Sequence, residues 1–341
     1  MSFELPLLRI GMAGFSLEQQ EMLGRVLPHA SPGGLTWEFS KFGEADALWL
    51  YGGRTQILSA TTLRIASGVP AGRSVQINMP DVDRPMVFAR PLPRNLQPEL
   101  AFDLEDPESV GAVLGRLETW LRPTIAQFCL ASQVLEQESA LGSGVYHVTA
   151  LNGTLIAVVD LRGDAAVLPT ASPMDFVDAM WTARPRDAKL PDQFTHTSLS
   201  QLMWHYALRT VRDVLPRRYR TEMLYFRRPP RLPQRLLRDS HLLLLRELSM
   251  APGTFAELQQ RTGLVGVQLA QDLAALYLVG AITSNPKRAS QASLRRAEGS
   301  DSSLYSQQPS QLPASGVRDS RGSASRLQPH DFTAPAPLSF D

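Results

Sequence analysis

The chain has 341 residues, 43% hydrophobic and 20% charged. That balance suits folded globular domains, and roughly 100–200 residues per domain leaves room for two or three. Lys plus Arg number 34 against 33 for Asp plus Glu, and the net charge of +1 excludes a whole-chain field drawing the protein onto nucleic acid or anionic lipid. A single cysteine, Cys129, excludes an intrachain disulfide framework and a multi-cysteine metal centre, and 26 prolines point to linkers or a tail. Met1–Arg9 lacks a basic-then-apolar leader, and no run of about 18 residues is free of charge or strong polarity. Neither export nor a membrane span is expected, and the cytoplasm is the expected address.

Residues 1–105 alternate short apolar runs with helix-like segments, the pattern of an α/β layer with a doubly wound five-stranded sheet. Leu7–Ala13 reads as the first strand. Ser16 with Gln19 forms a capping box for a helix with an apolar face of Leu17, Met22, Leu23, Val26 and Leu27, ended near Pro28. Thr36–Phe42 and Ala47–Tyr51 read as strands, Thr61–Ala66 as a short helix, and Ser74–Asn78 and Met86–Ala89 as strands four and five. In 106–138, Val110, Val113, Leu114, Leu117, Trp120 and Leu121 follow helical spacing, and Pro123 predicts a bent helix or two abutting ones.

Residues 139–238 read as an α+β region. Asn152-Gly153 is a strong hairpin signal between Val145–Ala150 and Thr154–Leu161, and Ala165–Leu168 completes a three-stranded meander. Met174–Trp181 and Leu199–Leu215 are expected to be helical. The segment ends in an arginine- and proline-rich connector. Residues 239–285 form a tri-helical pattern: Asp239–Met250, apolar through Leu242, Leu243, Leu245 and Leu248, then Phe255–Arg261 capped by Thr254, then Val265–Val279 after a Thr262-Gly263-Leu264 turn. Ala281–Ser284 reads as a strand. Residues 286–341 are rich in Ser, Gln, Arg and Pro without apolar period, the composition of a disordered tail.

Two resemblances follow from these patterns. The first hundred residues, with Arg90-Pro91 after the last expected strand, resemble the receiver domain of response regulators, which implies a signalling module. The resemblance also requires acidic residues after strand one, a phosphate-accepting Asp after strand three and a hydroxyl after strand four. Those positions hold Gly11-Met12-Ala13-Gly14-Phe15, Tyr51-Gly52-Gly53 and Asn78-Met79-Pro80, so the phosphorelay chemistry is not expected. The tri-helical pattern and following strand resemble a winged helix-turn-helix, which implies contact with DNA or protein.

Candidate sites are few. Gly11-Met12-Ala13-Gly14 lacks the third glycine of a dinucleotide loop and the Gly-Lys-Ser/Thr of a nucleotide loop, and reads as a tight turn. The six histidines show no metal-ligand spacing, and His205 and Cys129 read as packed side chains. No catalytic, cofactor-binding or metal-binding set is expected. The strongest electrostatic feature is the run Arg209, Arg212, Arg217, Arg218, Arg220, Arg227, Arg228, Arg231, Arg235 and Arg238, interleaved with Tyr219, Tyr225 and Phe226. Guanidinium forks suit phosphates, so Arg217, Arg218, Arg220, Arg227, Arg228, Arg231 and Arg235 are candidate contacts to nucleic acid or an anionic nucleotide. Pairing with the acid-rich Glu99–Glu108 segment, or solvation of the connector, is the plainer reading of them. On the third helix Gln268, Gln271, Asp272 and Ala275 are expected to face outward. Gln268 and Gln271 could read adenine, whereas Asp272 would repel phosphate. The reading that follows is a non-enzymatic cytoplasmic regulatory protein acting through a protein partner, with homo-oligomers possible. The alternatives are a DNA-binding regulator and a sensor of an anionic nucleotide.

Overall fold

A computed structural model describes residues 4–185 and 189–290. The described residues divide into two compact units, one built on 4–160 and 164–213, the other on 161–163 and 214–290. No helix among them is long and apolar enough to cross a membrane.

The first unit opens with a parallel sheet formed by β1 (Leu7–Ala13), β2 (Thr36–Ser40), β3 (Ala47–Tyr51), β7 (Met86–Ala89) and β8 (Ala101–Phe102), in the order β2-β1-β3-β7-β8. That is the strand order of a doubly wound sheet. The crossovers differ from such a fold. Only β1 to β2 is bridged by a helix, α1 (Leu17–Ala30), while β3 to β7 passes through a separate antiparallel sheet of β4 (Thr55–Ile57), β5 (Thr62–Ile65) and β6 (Val75–Asn78). Thr61–Ala66 is therefore a strand rather than the expected helix, and Ser74–Asn78 lies outside the parallel sheet. Met86–Ala89 is its fourth strand, and the two-residue β8 is its fifth. A tertiary reason explains the difference: Leu63, Ile65 and Ile77 supply the apolar surface that covers Ala13, Leu48, Leu50 and Phe88 of the parallel sheet. Alternation sends Trp49 to the other face, where its ring meets Phe102 at 4.7 Å and Phe39 at 6.4 Å.

The Ser16–Gln19 capping box forms as expected, with Gln19 N–H donating to Ser16 Oγ at 3.2 Å and Ser16 N–H to Gln19 Oε1 at 2.9 Å. Pro28 does not end α1, which continues to Ala30, and Leu17 is exposed while Leu23 and Leu27 are buried. α2 (Pro107–Trp120) and α3 (Arg122–Gln137) abut at Leu121, with Pro123 in the first turn of α3, where its missing N–H costs no intrahelical bond. Leu117 and Leu121 are buried as the spacing predicts; Trp120 is not, being 54% exposed. Glu118 is buried on the inner side of α2 and holds the loop after α1. It accepts from Ser31 Oγ at 2.6 Å, Gly33 N–H at 3.1 Å and Trp37 Nε1 at 3.3 Å.

The same unit carries an antiparallel sheet of β9 (Val145–Thr149), β10 (Leu155–Asp160), β11 (Asp164–Val167), β12 (Met180–Ala183) and β13 (Thr195–Ser198), ordered β12-β9-β10-β11-β13. The expected meander is its centre. Residues 174–181 do not form a helix: a short 3-10 turn, Pro173–Phe176, leads into β12. α4 (Leu199–Arg209) packs on α3, with Phe128 and Tyr206 rings 5.0 Å apart, and ends at Thr210, short of the expected Leu215.

The second unit holds α5 (Arg218–Thr221), β14 (Tyr225–Phe226), α6 (Asp239–Met250), α7 (Phe255–Thr262), α8 (Gly266–Leu278) and β15 (Ile282–Thr283). Thr254 caps α7 through a capping box with Glu257, as its sequence position predicts. The buried stripe of α6 is His241, Leu244 and Leu248, not the expected set with the exposed Leu242. β15 pairs antiparallel with β14, which precedes the three helices, and Leu224 bridges Gly253 between α6 and α7. Residues 286–290 were expected to open the tail. Instead they form a 3-10 turn, and Ser290 N–H donates to Phe226 O at 2.9 Å. Residues 291–341 lie outside the described residues.

Candidate functional site

Ligands of open α/β sheets bind at the carboxyl ends of the strands, which makes that edge of the parallel sheet a candidate site. It carries a cleft of about 1080 Å³ lined by Glu18, Glu21 and Arg25 of α1, Tyr51 at the end of β3, Arg90 after β7, and Asp103 and Glu105 after β8. The fourth parallel strand runs into Arg90-Pro91, and Asn78-Met79-Pro80 belongs to the separate β4–β6 sheet, so those residues do not stand at this edge. The charges are mixed, and Asp103 is engaged in the loop before α2, accepting from Glu105 N–H at 3.2 Å. Among the described residues no group of three His, Cys, Asp or Glu side chains is placed to hold a metal.

Of the expected turn Gly11-Met12-Ala13-Gly14, the first three residues are paired within β1, and Gly14 alone makes the turn. Gly14 has φ +87°, a Cβ there would meet Ile65 Cγ2 at 2.7 Å, and its carbonyl accepts from Arg54 Nη1 at 2.6 Å. The tight-turn reading is thus sufficient for Gly14.

A second concavity, about 900 Å³, lies between the β4–β6 sheet, the loop after β7 and the end of α2. Ile57, Met79, Val82, Met86, Leu96 and Trp120 give it an apolar floor, and Asp83, Arg84 and Glu99 stand among its polar residues. Ile57 is 40% exposed and its neighbour Leu58 52%. Trp120 shares the helical spacing of Leu117 and Leu121, which are buried, and Ile57 falls within none of the expected elements, so neither is marked as exposed by sequence alone.

Of the arginine run, Arg209 and Arg212 are structural. Arg209 Nη2 lies 2.5 Å from Asp46 Oδ1, and Arg212 Nη1 lies 3.6 Å from Glu4 and 3.4 Å from Glu136. Arg209 also lies beside His205, with Nη1 3.2 Å from Nδ1; burial and then this guanidinium push the imidazole down to about 4, against the pull of Asp46. Cys129 is fully buried and its thiol is pushed up to about 12 by burial, which makes it inert. Glu99 pairs with Arg116 at 3.7 Å.

The remaining candidates belong to the second unit. Arg217, Arg220, Arg231 and Arg235 are exposed, and Arg218, Arg227 and Arg228 are half-buried. Arg220 lies 5.6 Å over the Phe255 ring, and Arg218 5.9 Å over Tyr219, which packs on Tyr277 at 4.8 Å. Arg227 and Arg228 converge on Gly280, just past α8. An added Cβ there would lie 3.6 Å from Arg227 Nη1 and 3.2 Å from Arg228 Nη2.

On α8, Gln271 is exposed and Gln268 half-buried, as expected, but Asp272 and Ala275 are buried. Asp272 turns inward to His241, Oδ1 to Nε2 at 3.0 Å, and the other imidazole nitrogen accepts from Arg238 N–H at 3.1 Å. The helix is enclosed on most of its circumference, so a charged residue between apolar neighbours found a buried partner.

Comparison with known protein families, curated proteins and solved structures finds no match to this chain.

Proposed function

We propose that the chain is a non-enzymatic, cytoplasmic regulatory protein that acts by docking a partner protein on the first unit. The observation that carries this reading is the apolar groove between Ile57 and Trp120, where large apolar side chains stand in solvent with charged groups beside them, the anatomy of a protein-contact surface. The parallel strand order supports a receiver-like origin for the sheet, with Tyr51 and Arg90 where a receiver would carry its phosphorylation chemistry. A partner presenting apolar side chains fits the floor. A second copy of the chain is a special case, visible as a concentration-dependent mass in light scattering.

Affinity purification from cells that make the protein tests the reading. A partner recovered in near-stoichiometric yield should be lost from both Trp120→Glu and Ile57→Asp and kept by Arg246→Ala in the other unit. A partner that ignores both groove substitutions contradicts it.

DNA binding by a winged-helix-like second unit is the alternative, and the inward turn of Asp272 favours it by removing the expected repulsion from α8. Gln268 and Gln271 would then read bases, with the arginines on phosphates. Arg261 contributes little, since its Nη1 and Nη2 donate to Ala251 O and Pro252 O. Duplex binding with a steep salt dependence that falls on changing Gln271 to Ala would support this alternative.

A further inference from the structure

The geometry points to a site on the second unit for the phosphate oxygens of a small polyphosphorylated ligand, held by Arg227 and Arg228 with Arg218 and Arg231 beside them. The reading does not depend on the groove of the first unit.

Three observations carry it. The first is convergence. Arg227 and Arg228 bring guanidinium nitrogens to the same spot beside Gly280, whose missing Cβ leaves the room. Arg227 and Arg218 both act on the Tyr219 phenol, and Arg231 acts on Arg228. The second is that, among the described residues and apart from Arg218 over the Tyr219 ring, the guanidiniums are not spent on the protein. Among the described residues, no carboxylate lies within salt-bridge distance of these four side chains, and none of them donates a hydrogen bond to a protein acceptor. The Nε atoms of Arg218 and Arg228 are buried without a partner. Buried donors are normally satisfied, so unused guanidinium forks ask for an acceptor.

The third observation removes the simplest structural explanation, that these arginines cap the end of α8. That end closes on its own backbone: Gly280, at φ +65°, donates its N–H to Tyr277 O at 2.8 Å, and Ala281 N–H donates to Leu276 O at 2.9 Å. A helix C-terminus offers only about half a negative charge, far short of balancing four cations. Consistent with an uncompensated cluster, Arg228 is held below the usual guanidinium range by burial and then by Arg227 and Arg231.

The charge selects the ligand. A monovalent carboxylate would leave most of the cluster unbalanced, whereas a diphosphate or triphosphate brings several acceptor oxygens that planar forks bind in pairs. Inorganic pyrophosphate represents the bare group, and a nucleoside diphosphate the same group on a nucleoside.

Titration calorimetry on the full chain at physiological salt tests this with inorganic pyrophosphate, a nucleoside diphosphate, inorganic phosphate and a short duplex DNA. Pyrophosphate or the nucleoside diphosphate should bind with Kd tighter than about 1 mM and raise the melting temperature. Equal affinities would mean that the phosphates alone are read; tighter binding of the nucleotide would mean that the nucleoside is also held. Arg227→Ala with Arg228→Ala should weaken binding roughly tenfold or more. Arg228→Lys, which keeps the charge and the fold but loses the fork, should weaken it by a smaller factor, and Arg246→Ala should not change it. Absence of binding by both diphosphates, binding unchanged in the double variant, or binding of the duplex alone would each overturn the proposal.

Discussion

Replacing Glu118 by Ala removes the acceptor that joins α2 to the loop after α1. Three donors lose their partner: Ser31 Oγ, Gly33 N–H and Trp37 Nε1. Their environments differ. Ser31 and Gly33 lie at the surface and can turn to water, whereas Trp37 is 4% exposed and its indole N–H cannot. Hydrogen bonds to charged groups contribute about 1.5–3 kcal/mol, and a stranded buried donor costs about 1–3 kcal/mol. With water recovering most of the first two, the expected loss is about 2–4 kcal/mol. Glu118→Gln keeps one carbonyl oxygen but turns an amide toward a donor, so about 1–2 kcal/mol is expected. In urea, where small proteins have m of about 1–3 kcal/mol/M, the midpoint for the Ala variant should fall by about 1–2 M with m unchanged. Gly33→Ala should act at the same clamp, since its Cβ would sit 2.6 Å from Glu118 Oε2. A loss below about 0.5 kcal/mol for Glu118→Ala would show that the donors are no worse off without the carboxylate and that the clamp is not stabilising.

Two further outcomes follow from titrating groups shifted by burial. Because His205 titrates at about 4 in the folded chain and near 6.5 when unfolded, the unfolded state binds the extra proton between those values. Stability of the first unit should therefore fall on acidification, by about 2 kcal/mol between pH 8 and pH 5, and His205→Gln should flatten that part of the urea-midpoint profile. Identical profiles in the two proteins would contradict the assignment. For Cys129, a thiol pushed up to about 12 has a thiolate fraction about a thousandfold below that of an ordinary cysteine at pH 8. A disulfide reagent should label it only after urea is added, and rapid labelling of the native chain would show that α3 opens locally.

Local signals carried the parts of the fold that were legible in the sequence. The Ser16–Gln19 capping box, Pro123 at a helix start, the Asn152-Gly153 turn and Thr254 before α7 each act within a few residues of themselves, and each appears where its chemistry places it. What could not be read was decided by distant partners. Thr61–Ala66 carries β-branched Thr61, Thr62 and Ile65, but its short length leaves helix and strand undivided until β4 and β6 flank it and Leu63 and Ile65 cover the parallel sheet. Ala101–Phe102 is too short to carry a period, yet it completes the sheet beside β7. α8 is apolar almost all round, so its pattern does not say which side faces solvent, and the outward position expected for Asp272 gives way to His241, which pairs with it inside.

The site is subject to the same division. The arginine run was visible as composition, but only the fold separates Arg209 and Arg212, paired with Asp46, Glu4 and Glu136, from Arg227 and Arg228, which meet at Gly280. The groove had no sequence signature, because Ile57 and Trp120 come together through the placement of the β4–β6 sheet beside the end of α2.

Photo-crosslinking from position 120 probes docking at the groove without mediation by other contacts. With a photoreactive amino acid replacing Trp120 in cells that make the protein, one discrete adduct should form, lost when Ile57→Asp is added and retained when Arg227 and Arg228 are changed to Ala. No adduct above that of a control position on the exposed face of α6, or an adduct that survives Ile57→Asp, would contradict docking at this groove.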